Sequence, residues 1–214
     1  MSHATWSVAL RGGDPTAVED LLATALVKPR LANAAIQVAL RRKPVAGARA
    51  WLAALAGVAG CERIAVKGTG IIGDPEGLPL LFKWMEQPSL ARLAGEAFCF
   101  ITGANLNKDY LKNDTPREVA EGPTEDPNEN NVKLAVDEDL PWPAAKKCEF
   151  WWRERKKNFH NGKRYCCGKE ITLANLQDIL KTGYQRQRLA AALELAILEP
   201  SKPLFNTLAP GWRQ

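Results

Sequence analysis

Apolar residues recur at helical spacing through the first hundred positions. Val18, Leu21, Leu22, Ala25 and Leu26 fall at i, i+3, i+4, i+7 and i+8. Leu31, Ala34, Ala35, Val38 and Ala39 repeat that spacing, and so do Ala48, Trp51, Leu52, Leu55 and Ala56. Leu78, Leu81, Phe82 and Met85 follow it for two turns, and Leu90, Leu93, Ala94, Ala97, Phe98 and Ile101 for three. Each set draws one apolar stripe along one helix face. The stretch 61–72 is weaker, because Gly68 and Gly70 interrupt it. Its Ile64, Ile71 and Ile72 still fit a helix that packs closely through its glycines.

The punctuation recurs too. Gly13-Asp14-Pro15 and Gly73-Asp74-Pro75 carry the same signal: Gly ends a helix, Asp caps the next, and Pro takes its first position. Pro29, Pro44 and Pro88 open the helices between and after these stops. The two copies align with an offset of 60 at Asp14/Asp74 and 59 at Pro29/Pro88, and Leu31-Ala32 then matches Leu90-Ala91. With the Pro44 unit between them, the period is about 30 residues, one helical hairpin per unit. Hairpins that bury their stripes by stacking on one another form an α-solenoid. The alternative is a helical bundle without repeats.

The C-terminal third changes character. After Pro141-Trp142-Pro143, residues 144–158 predict a helix with Cys148, Trp151 and Trp152 on one side and a basic end at Arg153, Arg155, Lys156 and Lys157. Asn161-Gly162 marks a turn, and 164–171 a short extended piece. Thr172 caps a helix carrying Leu173, Leu176, Ile179 and Leu180, which Gly183 breaks. Leu189, Ala192, Leu193, Ala196 and Ile197 form the last stripe, and Pro200 stops it. The tail from Pro203 is expected to dock back through Leu204, Phe205 and Trp212.

Short helical hairpins joined by Gly-Asp-Pro turns resemble bacterial HEAT-like repeats. A more specific set consists of Ile71-Ile72-Gly73-Asp74-Pro75, Arg92-Leu93-Ala94-Gly95-Glu96-Ala97-Phe98, Ile101-Thr102-Gly103, Glu125-Asp126-Pro127-Asn128, Leu140-Pro141-Trp142-Pro143 and Arg186-Gln187-Arg188. Together these are similar to a family of bacterial HEAT-like proteins often encoded beside type VI secretion genes. The resemblance runs from about residue 10 over nearly the whole chain; members of that family are commonly longer, which would make this chain a short form or a C-terminal portion. The resemblance implies an all-α, HEAT-like solenoid and supplies no catalytic residues. Some HEAT-like proteins in that setting are immunity proteins, which silence a toxin carried by the same bacterium.

Composition excludes more than it assigns. The chain has 214 residues, 46% of them apolar and 25% charged, in the range of globular proteins. No uncharged apolar run is long enough to span a bilayer. The N-terminus lacks a basic region followed by an apolar run, so a cytoplasmic location is expected. Five irregularly spaced Cys argue against a disulfide framework. Two His leave little room for histidine-based catalysis.

Charge is uneven. The net +5 divides into +3 over 1–110, −6 over 111–140 and +8 over 141–214. The acidic part, with Pro116, Pro123 and Pro127, reads as a linker or functional loop. The expected organisation is helical repeats over 1–103, an acidic Pro-containing loop over 104–143 and a helical C-terminal domain over 144–214.

Candidate chemistry is sparse. Cys148, Cys166, Cys167 and His160 offer zinc donors, but adjacent Cys166-Cys167 side chains point apart, so free thiols are the simpler reading. A Cys–His nucleophile lacks a marked third group. Gly68-Thr69-Gly70 has no following Lys-Ser or Lys-Thr and is no phosphate loop. The carboxylates of 114–139 match no calcium loop, which leaves solvation or partner contact. The run Phe150-Trp151-Trp152-Arg153-Glu154-Arg155-Lys156-Lys157 has the composition of a nucleic-acid contact. Three consecutive aromatics nonetheless span about 200° of helix, so most of that arc is expected in the core, and direct nucleic-acid binding is not expected.

The expectation is therefore a non-catalytic protein-binding module without cofactor, metal or small-molecule substrate. Its expected role is that of an immunity protein against a type VI toxin. With no secretory signal the toxin would act in the cytosol, which points to a nuclease. The candidate interface residues are Glu125, Asp126, Glu129, Asp137, Glu138 and Asp139, whose charge would mimic nucleic acid in a basic cleft. The alternatives are occlusion of the toxin's assembly surface, a scaffold or adaptor of the secretion apparatus, an accessory to a pigment or cofactor lyase and, less favoured, a nucleic-acid-binding helical protein.

Overall fold

The computed structural model describes residues 3–12, 14–116 and 137–209. Seven helices fill the first half: α1 (His3–Arg11), α2 (Pro15–Val27), α3 (Pro29–Arg42), α4 (Val45–Leu55), α5 (Glu62–Ile72), α6 (Leu78–Met85) and α7 (Ala91–Thr102). The second half holds α8 (Ala145–Arg155), a two-stranded antiparallel hairpin of β1 (Tyr165–Cys166) and β2 (Lys169–Glu170), α9 (Leu173–Thr182) and α10 (Gln185–Leu198). The described residues are thus mostly helical, as the periodicity predicts.

The Asp caps form as expected, whereas Gly13 lies outside the described residues and Pro88 sits in a turn ahead of α7 rather than at its first position. Asp14 accepts a hydrogen bond from the Thr16 amide at 2.8 Å, and Asp74 accepts one from the Glu76 amide at 3.1 Å. Each satisfies one of the donors that a helix start leaves open. Pro15 and Pro29 sit at the first position of α2 and α3. Pro75 instead opens a short 3-10 turn, and α6 begins after it. Gly73 ends α5 in the left-handed region at φ 71°.

Packing sorts the helices into two layers. α1, α3, α5 and α7 lie side by side, and α2, α4 and α6 each pack on the helix that follows them. One core cluster joins α1 to α4 and the end of α5 through Leu10, Leu21, Leu22, Ile36, Val38, Leu52 and Ile72. A second joins α4 to α8 through Val66, Leu78, Leu81, Leu93, Phe98 and Ile101. Gly68 and Gly70 set the spacing of this row. A Cβ on Gly68 would stand 2.4 Å from Leu52 Cδ2, and one on Gly70 3.0 Å from the Ala97 backbone.

Several details depart from the stripes. α1 precedes the first of them and buries Ala9 and Leu10. Leu26 and Ala34 are exposed, while Ala17, Ala32, Ile36 and Leu40 are buried. α3 touches α1, α2, α5 and α10, and a helix covered on so many sides loses the contrast that a single stripe requires. α10 behaves likewise: Leu189 is exposed, whereas Ala190, Ala191, Ala192, Leu193, Glu194 and Ala196 are buried. Its Leu193 and Ala196 belong to the first core cluster, so the C-terminal part shares its core with the N-terminal helices.

Residues 104–143 are packed at both ends. Ala104, Leu106, Leu111 and Trp142 are buried. The backbone pairs Asn113 N to Trp142 O at 2.9 Å and Ala144 N to Leu111 O at 2.7 Å. In the tail, Leu204 packs on the first core cluster, while Trp212 lies outside the described residues.

Gly73→Ala tests this frame. Its new Cβ would lie 2.1 Å from the carbonyl oxygen of Tyr165, at a backbone angle that L-residues rarely adopt. Such a position costs about 1–3 kcal/mol before any clash, or several degrees in Tm for a chain of this size. Gly57→Ala meets nothing within 4 Å and is expected to leave Tm nearly unchanged. Thermal melts of both variants check the contrast.

Candidate functional site

A cleft of about 260 Å³ opens where α10 lies against the row of α3, α5 and α7. Asn33, Gln37 and Arg41 come from α3, Lys67, Gly70 and Ile71 from α5, and Glu96, Ala97 and Phe100 from α7. Arg186 and Leu189 of α10 and Asp137 complete it.

Its floor is a buried charge cluster. Glu194 is 2% exposed and Arg41 6%. Arg41 Nε lies 3.0 Å from Glu194 Oε1, in ion-pair range but out of hydrogen-bond alignment. Arg41 Nη1 donates to the Gln37 carbonyl at 2.6 Å. Arg164 meets the same carboxylate through two nitrogens, Nη2 to Oε1 at 2.5 Å and Nη1 to Oε2 at 3.3 Å. Burial pushes the Arg41 pKa below the ordinary arginine value, against the attraction of Glu194. Arg164 also donates Nε to the Ile72 carbonyl at 2.9 Å, at the end of α5.

The rim is ionic as well. Arg186 donates to Glu96 at 2.7 Å and to Asp139 at 2.6 Å. The carboxylate partners raise the Arg186 pKa, the Glu96 hydrogen bond most of all. Arg63 holds Asp137 at 2.5 Å. Lys67 has no ion-pair partner among the described residues, although it lines the cleft. The arrangement offers charge and amide recognition: one available ammonium, the amides of Asn33 and Gln37, and an apolar wall of Ile71, Ala97, Phe100 and Leu189.

The acidic candidates divide. Glu125, Asp126 and Glu129 lie outside the described residues. Asp137 and Asp139 stand at the rim of the cleft, each held by an arginine. Asp137 has only 13% of its side chain exposed, so it acts as an anchor, whereas the Asp139 side chain is 65% exposed. Glu138 sits between them in the same turn. Below this turn the strands of the acidic segment meet as a stem. Lys112 bridges Pro143, Arg92 donates Nη2 to Thr115 Oγ1 at 3.3 Å, and its guanidinium lies 5.6 Å from the Trp142 ring centre. The segment of net charge −6 therefore begins and ends at one fixed base on α7.

Several residues named by spacing alone turn out to build this base. Arg92, Glu96, Trp142, Pro143 and Arg186 converge there; Pro143 packs on Gly95, where an added Cβ would stand 3.1 Å away. The floor was not legible. Arg41 and Arg164 are 123 positions apart and Glu194 is 30 beyond Arg164. The one signal is a lone Glu194 within the otherwise apolar run from Leu189 to Leu198.

The thiols divide by environment. Burial pushes Cys99 and Cys148 up to about 12. Cys166 is shifted down, first by the hydrogen bond with Cys167 and then by Arg41 and Arg164, and Cys167 is shifted up by the same bond. No group of three or more His, Cys, Asp or Glu among the described residues is arranged to hold a metal ion. No helix among the described residues is long and apolar enough to cross a membrane.

No family model matches the chain, and no curated protein and no solved structure matches it either.

Two outcomes follow from this geometry. Glu194→Ala strands two guanidinium groups and is expected to lower unfolding free energy by about 3–5 kcal/mol in urea titrations. Adding Arg41→Met should recover part of that loss, because one uncompensated charge is gone while Arg164 still caps the α5 carbonyls. Cys99 and Cys148 stay protonated at pH 8 and are expected to resist iodoacetamide in the native protein and to react once urea unfolds it; peptide mass spectrometry reads the difference.

Proposed function

We propose that the chain is a HEAT-like α-solenoid that works as a protein-binding module, and that it serves as a cytoplasmic immunity protein against a type VI secretion toxin. The inner row of α1, α3, α5 and α7 with α2, α4 and α6 outside supports the solenoid reading, since stacked hairpins produce that layout. The Gly-Asp-Pro stops and the family resemblance of the motif residues support the immunity reading.

One observation carries the mode of action. The acidic segment starts and finishes on a stem fixed by Arg63, Arg92 and Arg186. The segment that leaves this stem carries Glu125, Asp126 and Glu129 and contributes to a net charge of −6 over 111–140. A nuclease toxin binds phosphate backbones through a basic cleft. The segment fills that cleft in place of nucleic acid, and charge complementarity speeds the encounter. Glu125, Asp126 and Glu129 supply contacts; Asp137 and Asp139 hold the stem.

The test follows that division of labour. Pull-down from the native host identifies the partner, and a toxic nuclease recovered at equal stoichiometry is the expected result. Recovery of structural secretion components instead would replace the immunity reading with a scaffold. Glu125→Lys, Asp126→Lys and Glu129→Lys together should abolish protection and weaken toxin binding at least tenfold by calorimetry. Asp137→Asn with Asp139→Asn should mainly lower Tm. Unchanged protection in the triple variant removes the acidic segment from the interface.

A further inference from the structure

The basic run that follows the acidic segment folds into a second surface, on the outer layer. α8 lies against α6, and a groove of about 440 Å³ runs between them. Pro79, Phe82 and Trp152 line it as apolar groups. Lys83 stands on one wall, and Lys146, Arg153 and Lys156 on the other. Glu86 and Glu149 also line it.

The cations here differ from the arginines in and around the cleft. Arg41, Arg63, Arg164 and Arg186 are all bound to carboxylates. Among the described residues, Lys83, Lys146, Arg153 and Lys156 have no ion-pair partner, and neither do Lys147, Arg155 and Lys157 on the same helix and its 3-10 end. Glu86 and Glu149 stand among them, likewise without an ion pair among the described residues, which leaves the groove lining a net charge of +2.

The three consecutive aromatics of α8 separate as the helix turns. Trp151 goes inward, 5.7 Å from the Phe98 ring and edge-on to it. Trp152 meets Phe159 at 4.9 Å and keeps part of its surface in the groove. Phe150 goes outward and is 58% exposed, with the Arg153 guanidinium 5.4 Å from its ring centre. An exposed ring beside a guanidinium, next to a row of unpaired cations, suits a ligand that carries both negative charge and flat π-faces. An acidic peptide would use the charges and leave the ring idle.

We propose that the α6–α8 groove binds single-stranded nucleic acid, with Lys83, Lys146, Arg153 and Lys156 on the phosphates and Phe150 stacked on a base. The groove carboxylates Glu86 and Glu149 accept from base N–H donors, thymine N3–H among them. The site stands apart from the acidic stem and does not depend on the immunity reading.

The test is fluorescence anisotropy of a labelled 20-nucleotide oligo-dT against the full chain at several salt concentrations. A labelled 20-residue poly-glutamate and a 20-base-pair duplex serve as comparison probes. Oligo-dT is expected to bind, and more tightly than poly-glutamate. Lys83→Gln, Lys146→Gln and Arg153→Gln together should weaken it at least tenfold and flatten the log–log salt slope by about 2. Phe150→Ala should weaken it about tenfold, with the salt slope kept. Lys28→Gln, Lys108→Gln and Lys181→Gln remove the same charge elsewhere and should change affinity little. Circular dichroism confirms the fold of each variant. The proposal fails if oligo-dT does not bind at 50 mM salt, if poly-glutamate or duplex binds at least as well, or if the control triple loses as much as the groove triple.

Discussion

The helices of the inner row all bring their carbonyl ends to one edge, and that edge must be closed. Each helix leaves its last carbonyls without partners and concentrates about half a negative charge there. Side chains and a hairpin from distant parts of the chain supply the closure. Arg42 donates to the Ala9 and Leu10 carbonyls of α1. Arg164 reaches the ends of α3 and α5. The β-hairpin does the rest: Tyr165 N donates to Gly73 O at 2.8 Å, Cys167 N to Phe100 O at 2.6 Å and Gly168 N to Ile101 O at 3.2 Å. Its turn has positive φ at both Cys167 and Gly168, the geometry of a two-residue hairpin turn. Gly168 is required there, since an added Cβ would lie 2.5 Å from the Thr102 carbonyl.

That edge explains the buried charges. Two arginines share one carboxylate, so the Arg41–Glu194–Arg164 cluster keeps one net positive charge. It sits beside several negative helix ends, which offset the burial of that charge. α10 is thereby fixed against the row, and with it the cleft. A buried ion cluster contributes little to stability compared with apolar packing. Its effect is to select one placement of α10, because any slip would leave Glu194 or Arg41 unpaired.

The sequence discloses what is local. Asp14, Asp74 and Gly73 carry their own conformational logic within three residues, so the helix stops are readable. Stripes on helices with one covered face, such as Ala48, Leu52 and Leu55 of α4, are readable as well. α3 and α10 are not, because helices packed on several sides bury positions all round. The hairpin turn is hidden because its first residue is Cys167, where Asn or Asp is the familiar choice. The anchor at Asp137 is partly legible: charge composition marks the segment, but only the fold assigns Arg63 as its partner, 74 residues away.

Charge placement then decides what each surface can hold. Around the cleft Arg41 and Arg186 are paired with carboxylates while Lys67, among the described residues, is not, and the stem spends Asp137 and Asp139 on arginines. In the α6–α8 groove the cations are unpaired, so that surface carries a field of its own. The groove sits on a frame whose helix ends are locked by Arg42, Arg164 and the hairpin, and charges fixed on helices lose little orientational freedom on binding.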